Sequence, residues 1–293
     1  MLTLTTQAKT VMMSLTTFVH RQLKDSPMTL DLRGGTALIT GASSGLGVEF
    51  ARRFANRGSN LVLVARRADR LEALAAELRS APGVEVTVVP ADLGVAGAAE
   101  SLHEELDRRG IRITSLVNNA GFGSHGAFDQ ADPERMTGEI QLNVGTLVEL
   151  TRAFMPQLLE GSGALVTVAS TAAYQPTPGM AVYGATKAFV LSFTEALWAE
   201  ARGTGLRVLA VSPGPTQTEF FDVVGSEDAA VGRKQTSAQV IDTAFRALDR
   251  ADGGPSVVSG RSNHLTALAT RLLSRRTLAR TSARVLGGVR MAR

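Results

Sequence analysis

Short runs of apolar, β-branched residues alternate with longer amphipathic stretches along the chain from about Thr36 onwards. The short runs are almost continuously apolar, which is typical of parallel strands that helices cover on both faces. They predict strands at 36–40, 60–65, 84–89, 113–117, 164–169, 207–211 and 256–259. Between them lie stretches with apolar residues at helical spacing, for example 48–56, 67–79 and 98–109. This alternation predicts an α/β fold with a doubly wound parallel sheet of about seven strands.

No linker rich in Pro, Gly or Ser divides the body of the chain, so residues 31–260 are predicted to form a single domain. Residues 1–30 fall outside the alternating pattern and predict a disordered or loosely packed extension, with Met28 as an alternative native start. The composition and spacing of residues 261–293 predict a basic, helical C-terminal extension. Arginines there are interleaved with leucines at helical spacing, namely Leu265, Leu268, Leu272 and Leu273. One face of this helix is expected either on the body of the protein or on an anionic membrane surface.

Composition narrows the class of protein. Of 293 residues, 44% are hydrophobic and 20% are charged, as in a globular protein. There is no cysteine, which excludes disulfides and thiolate sites and fits a cytoplasmic protein. The four histidines are scattered without the spacing of metal ligands, so no metal is expected.

The high isoelectric point, about 9.9, comes from the ends of the chain. Residues 261–293 contain eight arginines and no acidic residue, whereas residues 30–260 contain more acidic than basic side chains. A nucleic-acid-binding domain would place its basic residues on the folded body. The charge distribution therefore argues against a nucleic-acid partner.

A glycine-rich loop follows the first predicted strand and leads directly into a helical pattern. It reads Thr40, Gly41, Ala42, Ser43, Ser44, Gly45, Leu46, Gly47. Gly41 permits a tight turn, Gly45 lets the backbone approach a pyrophosphate, and Gly47 lets the helix pack closely on the sheet. The N-terminus of the following helix offers N–H groups and positive partial charge to phosphates. The loop predicts a dinucleotide site that includes Ser43, Ser44 and Leu46.

Two arginines, Arg66 and Arg67, follow the second predicted strand, where a dinucleotide site meets the adenosine ribose. An acidic residue there binds the 2′-hydroxyl, whereas arginine favours a 2′-phosphate. Arg66 is the better candidate for the phosphate, with Arg67 stacking on adenine or sharing the phosphate and Ser43 as a further donor. NADP(H) is therefore the predicted cofactor.

Tyr183 and Lys187 are four residues apart in a helical stretch, so their side chains share one helix face. We expect the nearby ammonium to lower the pKa of the phenol and so help it exchange a proton with a substrate oxygen. The other tyrosine, Tyr174, has Pro178 at the matching position, which leaves one candidate pair.

In residues 34–260 the chain resembles the short-chain dehydrogenase/reductase family, which implies a Rossmann-type fold. The matching residues follow the family's order: the glycine loop with Gly41, Gly45 and Gly47, the adenine segment with Asp92 and Leu93, the cofactor-lining Asn119, Ala120 and Gly121, the catalytic Asn143, Ser170, Tyr183 and Lys187, and the nicotinamide turn with Pro213, Gly214 and Thr216.

The resemblance implies an oxidoreductase that interconverts a ketone or aldehyde and an alcohol. Ser170 would hold the carbonyl, and Tyr183 would donate a proton as hydride leaves the nicotinamide. Lys187 would hold the ribose hydroxyls, and Asn143 would connect the lysine to solvent through a water. An NADP(H)-binding regulator on the same fold stays open as an alternative, although it would not need this set of side chains.

The segments that face substrate in this family are residues 173–176 and 219–224 here. Both carry apolar bulk and lack an obvious anion clamp, which predicts an apolar or acyl-type carbonyl compound as the small-molecule substrate. Phe220 and Phe221 either contact that substrate or pack a short lid helix. Members of this family commonly assemble through the helix that carries the Tyr–Lys pair. The resemblance therefore also implies a homodimer or homotetramer through the helix with Tyr183 and Lys187.

Overall fold

The computed structural model describes residues 29–80, 82–225, 232–250 and 252–285. The predicted N-terminal extension lies almost wholly outside the described residues, as does the end of the C-terminal segment after residue 285. Leu30, placed in that extension by the sequence, is buried instead. Its backbone N–H donates to Oδ1 of Asp249 at 3.0 Å.

Seven strands form a single parallel sheet in the order β3-β2-β1-β4-β5-β6-β7, which confirms the predicted α/β architecture. The strands are β1 (Thr36–Thr40), β2 (Asn60–Ala65), β3 (Val86–Pro90), β4 (Ser115–Asn118), β5 (Ala164–Val168), β6 (Arg207–Ser212) and β7 (Ser256–Val258). The strand order reverses between β1 and β4, and such a point opens a crevice at the carboxyl ends of the strands.

Helices connect the strands and form a layer on each face of the sheet. They are α1 (Gly45–Ala55), α2 (Ala68–Leu78), α3 (Ala98–Arg108), α4 (Pro133–Ile140), α5 (Thr146–Leu159), α6 (Ala181–Glu200), α7 (Phe220–Val224), α8 (Ser237–Leu248), α9 (Arg261–Thr270) and α10 (Arg275–Val285). The chain between α4 and α5, Gln141–Gly145, is π-helical, and Thr171–Tyr174 forms a 3₁₀ turn after β5.

The core lies on both sides of the sheet. On one side α1, α2 and α8 pack on the strands, and Phe54 meets Phe245 edge to face with ring centroids 5.3 Å apart. On the other side α3 and α5 pack together through residues such as Leu106 and Phe154. Burial on both faces explains why the strands are continuously apolar in sequence.

The fourth strand begins at Ser115 rather than at residue 113 as predicted. Ile113 is fully buried, but its backbone N–H donates to Oε1 of Gln157 at 2.8 Å. A side chain therefore satisfies this N–H in place of a neighbouring strand.

The basic C-terminal segment forms two helices where the sequence predicted one. A new helix, α10, begins after Ser274, whose hydroxyl oxygen accepts from the backbone N–H of Thr277 at 3.2 Å as an N-cap does. Ala267 and Leu278 are buried, whereas Leu265 and Leu272 are 66% and 88% exposed. In the described part of the chain, no helix has both the length and the apolar character needed to cross a membrane.

Candidate active site

The glycine loop after β1 brings its backbone close to neighbouring segments. Gly41 and Gly45 have φ angles of 66° and 57°, a region that favours glycine. A Cβ at Gly47 would collide with the carbonyl of Gly41, so α1 packs directly on the loop. The first turn of α1 has no acidic residue, and Ser44 makes no side-chain cap bond there. The N–H groups of this turn are therefore available to an anion.

The end of β4 is tied to the same loop by side-chain hydrogen bonds. Nδ2 of Asn119 donates to the carbonyl oxygen of Thr40 at 2.8 Å. The Thr40 hydroxyl accepts from the backbone N–H groups of Asn119 and Ala120 at 2.9 and 3.0 Å. A Cβ at Gly121, the next residue, would lie 2.7 Å from Oδ1 of Asn143. A residue larger than glycine at position 41 or 121 would therefore collide with the neighbouring segment.

The two arginines after β2 have different surroundings. Arg66 is exposed at the cavity wall and has no hydrogen-bond or ion-pair partner among the described residues. Arg67 donates through Nε and Nη2 to Oγ of Ser43 at 3.2 and 3.1 Å, and through Nη1 to Oε2 of Glu219 at 2.8 Å. Arg70 pairs with the same carboxylate. These guanidinium groups lower the pKa of Glu219.

The segment after β3 also reaches this region. Oδ1 of Asp92 accepts from the backbone N–H of Gly94 at 2.9 Å, while Asp92 itself is exposed. Leu93 is buried, and its carbonyl accepts from the Thr146 hydroxyl at 2.7 Å. Asp92 and Leu93 thus line the same cavity as the glycine loop, and their contact with adenine stays a prediction.

Tyr183 and Lys187 are buried on α6 at the carboxyl end of β5. Nζ of Lys187 donates to the carbonyl of Val168 at 2.7 Å and lies 5.7 Å from the centroid of the Tyr183 ring. The Ser170 side chain lies near enough to the Tyr183 phenol to lower its pKa. Ser170 also accepts from the backbone N–H of Ala172 at 3.1 Å, which fixes its rotamer. The three side chains predicted to carry the chemistry are therefore close together.

The pKa of Tyr183 differs from the sequence expectation. Its net value rises to about 12: burial is the largest cause, the Ser170 side chain lowers the pKa by less, and the charge of Glu139 adds to the increase. Burial also lowers the pKa of Lys187 to about 8. We expected the ammonium to lower the pKa of the phenol, but in this structure desolvation outweighs any such effect.

Asn143 is buried in the π-helical turn between α4 and α5. Its Oδ1 accepts from the Phe122 N–H at 3.1 Å, and its Nδ2 donates to the Phe122 carbonyl at 2.9 Å and to Oγ1 of Thr186 at 3.1 Å. The side chain thus joins the segment after β4 to α6. Single π-helical turns occur often at functional sites, because they displace a residue from the regular helix face.

One cavity of about 1070 Å³ runs across all these segments. Every residue predicted to bind the cofactor or to carry the chemistry lines it except Gly47 and Asn143. Pro213, Gly214 and Thr216 line the same cavity. The far wall comes from the C-terminal helices, through residues such as Thr266, Thr270, Leu273, Leu278 and Ser282.

Several residues at the site were not anticipated from the sequence. Glu139, fully buried beside the Tyr183–Lys187 pair, reads in sequence as one more position of an ordinary helix. Glu219 was noted only as part of a substrate-facing segment. The share of the wall that α9 and α10 supply was also missed. The sequence signal for it was the helical spacing of Leu265, Leu268, Leu272 and Leu273.

Comparison with known proteins places these features in context. Residues 35–229 match the model of the short chain dehydrogenase family. Sulfoacetaldehyde reductase 2 of Chromohalobacter salexigens is 43% identical over 66% of this chain and 77% of its own length. The 7beta-hydroxysteroid dehydrogenase of Collinsella aerofaciens is 32% identical over 78% of this chain and 88% of its own length.

Solved structures give the same picture. A short-chain dehydrogenase from Sphingobium yanoikuyae in complex with NADPH has 37% identity and a TM-score of 0.71, covering 81% of this chain and 93% of that one. A structure from Burkholderia phymatum in complex with NAD has 27% identity and a TM-score of 0.72, covering 86% and 96%. Both cofactors therefore occur among similar folds.

Proposed function

The chain belongs to the short-chain dehydrogenase family and is an oxidoreductase of that family; within it, we propose that this protein is an NADPH-dependent reductase of bulky apolar ketones. The observation that carries the proposal is a cavity of about 1070 Å³ that Ser170 lines together with the buried Tyr183 and Lys187. The glycine loop and the C-terminal helices both line this cavity.

The residues present fit a nicotinamide dinucleotide. Backbone at Gly45 and Gly121 leaves room that a Cβ would fill, since a Cβ there would lie 2.9 Å from Cγ2 of Thr218 and 2.7 Å from Oδ1 of Asn143, respectively. The N-terminus of α1 would hold the pyrophosphate. When bound, the nicotinamide supplies the hydride.

The chain's own side chains would orient the carbonyl and supply a proton. Ser170 donates a hydrogen bond to the carbonyl oxygen, and Tyr183 delivers its proton to that oxygen as the alcohol forms. A pKa near 12 keeps Tyr183 protonated across the neutral range, as an acid for reduction must be. Lys187, fixed by the Val168 carbonyl, holds the cofactor ribose beside the phenol.

Arg66 supports the choice of NADPH over NADH. It is exposed at the cavity wall next to the Arg67–Ser43 pair and is free to bind an anion there. A 2′-phosphate bound there could accept hydrogen bonds from the exposed Arg66 guanidinium, from the Arg67 guanidinium held by Ser43, and from the Ser43 hydroxyl. The chain has no acidic residue directly after β2 to bind a ribose 2′-hydroxyl.

Glu219 is expected to compete with the 2′-phosphate for Arg67 and Arg70. Its carboxylate already pairs with both arginines at the start of α7. Replacing it by Glu219→Gln removes this competitor and a like-charge repulsion, and should tighten NADPH binding by roughly threefold or more, as for a half-exposed ion pair. Fluorescence titration of NADPH and NADH measures the change, with NADH expected to respond little.

Glu77→Gln is the matched control, because Glu77 forms a similarly exposed pair with Arg52 away from the cavity. It should leave both affinities unchanged. Weaker NADPH binding in Glu219→Gln would show that the carboxylate instead helps α7 to close on the cofactor.

The cavity wall near Tyr183 supports an apolar substrate. Met180, Phe220 and Val224 pack with the Tyr183 ring, and the Phe220 ring centroid is 5.3 Å from that of Tyr183. Arg135 also lines the cavity, but its Nη2 is already bonded to the carbonyls of Gly123 and Val223 at 3.2 and 2.6 Å. A sulfonate-bearing substrate such as sulfoacetaldehyde would need cationic N–H donors directly beside the Tyr183 ring, where the packed side chains are apolar. The steroid dehydrogenase, whose match extends over more of this chain, offers the better analogy for the substrate.

A ketone series tests the proposal. We expect NADPH oxidation by methyl ketones to rise in kcat/KM by about fourfold per buried methylene, from ~0.8 kcal/mol each, until the cavity is filled. Aryl and polycyclic ketones should exceed acetone and sulfoacetaldehyde. Best turnover of sulfoacetaldehyde would refute the apolar substrate. NADPH binding without turnover of any carbonyl compound would favour the regulatory alternative.

Exposed rings on α6 support a homodimer or homotetramer. Phe189 is 41% exposed and stacks on Phe193 with ring centroids 5.7 Å apart. Such an aromatic surface on the helix that carries the catalytic pair suits contact with a second copy.

Exposed Leu272 beside the arginines of α9 and α10 supports peripheral contact with an anionic membrane.

A further inference from the structure

A buried hydroxyl group on the last described helix borders the cavity without a partner. Ser282 on α10 is 4% exposed and lines the cavity. Its hydroxyl makes no hydrogen bond to any other described residue. A serine hydroxyl can donate one hydrogen bond and accept two. Because buried polar groups in folded proteins are nearly always paired, this one calls for a partner from outside the chain.

One face of α10 forms part of the cavity wall. The cavity-lining residues of this helix are Leu278, Thr281, Ser282 and Val285, and their spacing places them on one side of it. The Thr281 hydroxyl is already used, since it donates to the carbonyl of Thr277 at 2.9 Å. Ser282 therefore presents the open hydroxyl of this face, between two apolar positions.

Helix α9 adds hydroxyl groups to the same wall, but they are bonded to their own helix. Thr266 donates to the carbonyl of Ser262 at 3.1 Å, and Thr270 donates to that of Ala267 at 2.8 Å. A ligand would have to break these bonds before it could accept from either threonine. Ser282 needs no such exchange.

Ser282 stands apart from the reacting end of the cavity. Helix α9 packs on the turn Thr171–Tyr174, which directly follows Ser170, and α10 comes after α9 in the chain. Among the described residues, the apolar cluster around Tyr183 contains none from α10. A ligand that reaches both Ser170 and Ser282 therefore extends from the catalytic group to the C-terminal helices.

We propose that the substrate carries a second oxygen, a hydroxyl or carbonyl group separated from the reacting carbonyl by an apolar body, and that Ser282 is the specificity-determining residue that binds it. This inference deepens the proposed reductase function and rests on it. Ser170 would bind the oxygen that is reduced, and Ser282 the oxygen that stays unchanged. Ser282 suits both kinds of group, since it can donate to a carbonyl and accept from a hydroxyl.

The Ser282 hydroxyl disfavours a ketone that lacks the second oxygen. Such a ketone covers the hydroxyl without bonding to it, and a buried polar group left unpaired costs binding free energy. A ketone with the second oxygen restores the bond. Sites built to bond a substrate hydroxyl reject analogues without it for this reason. Ser282 therefore selects between ketones of equal length.

Paired ketones test the role of Ser282. Each pair joins a methyl ketone that ends in a hydroxyl group with one of equal length that ends in a methyl group. At the length that spans from Ser170 to Ser282, Ser282→Ala should lower the ratio of their kcat/KM values, hydroxyl over methyl, by about fivefold, the usual effect of one neutral hydrogen bond. Reduction of the methyl-ended ketone should be as fast as before or faster. Alanine is a strong helix former, so α10 should persist.

Thr281→Val is the matched control, because it removes from the same helix face a hydroxyl that is already bonded to Thr277. It should leave the ratio unchanged. If Ser282 had only a structural role, Ser282→Ala would lower kcat/KM for both ketones of every pair alike and keep their ratio, and that result overturns the proposal. An equal fall of the ratio in Thr281→Val overturns it as well.

Calorimetry in the presence of NADP⁺ separates this inference from the proposed function, because the oxidised cofactor cannot reduce a ketone. With the chain saturated by NADP⁺, the preference for the hydroxyl-ended ketone in Kd should fall by about fivefold in Ser282→Ala. If the wild-type chain reduces no ketone, the reductase function fails, while these dissociation constants still decide the role of Ser282. The same preference in both proteins, or binding of neither ketone, overturns it.

Discussion

Tyr183→Phe should lower kcat for ketone reduction by about 10²- to 10⁴-fold, the usual contribution of a positioned acid. Phenylalanine keeps the ring that packs against Met180 and Phe220, so the fold and the cavity should persist. What is lost is the proton that Tyr183 delivers to the substrate oxygen. Rapid-mixing kinetics of NADPH oxidation at saturating ketone measure the loss, and a fluorescence titration should show that NADPH still binds.

Tyr174→Phe provides the matched control, because these are the two tyrosines of the chain and both line the cavity. The Tyr174 hydroxyl bonds to Oγ of Ser212 at 3.2 Å and is not placed beside Lys187. Its removal should change kcat by no more than a few fold. Full turnover in Tyr183→Phe would refute the role of Tyr183 as proton donor.

Arg66→Asp should have the second largest effect, weakening NADPH binding by about ten- to hundredfold. Hydrogen bonds to charged groups contribute about 1.5–3 kcal/mol, and the new carboxylate also repels the 2′-phosphate. NADH, which has a 2′-hydroxyl, should bind as well as before or better, since an acidic residue there accepts from it. Comparing the dissociation constants of both cofactors gives the preference ratio.

Arg152→Asp reverses a charge on the exposed surface of α5 and should leave the ratio unchanged. If Arg66→Asp also leaves the NADPH affinity unchanged, Arg66 has no part in phosphate binding. Arg67, held by Ser43, would then be the residue to vary next.

Much of the fold could be predicted because the sheet is buried on both faces. Each strand reads as a short apolar run, and β1, β2, β5 and β6 begin where the pattern places them. The break between α9 and α10 was less visible, because it depends on a single capping serine, Ser274. Segment ends depend on such local bonds more than on periodicity.

Two parts of the candidate site could be predicted because they depend only on the spacing of residues along the chain. They are the glycine loop and the Tyr183–Lys187 pair. Contacts made across the fold could not be predicted in this way: Glu219 meets Arg67 from 152 positions away. The high pKa of Tyr183 depends on burial, which spacing alone does not reveal. Glu139 was missed for the same reason.

We propose that this chain transfers hydride from NADPH to an apolar ketone, with Tyr183 as the acid. The most direct test of this mechanism uses NADPH deuterated at nicotinamide C4, prepared separately for each face, with mass spectrometry of the alcohol formed. We predict that one of the two labelled cofactors places a single deuterium on the carbinol carbon with the wild-type chain. In the same time, Tyr183→Phe should give almost none. Tight NADPH binding with no deuterated alcohol from any ketone of the series would contradict the proposed reductase mechanism.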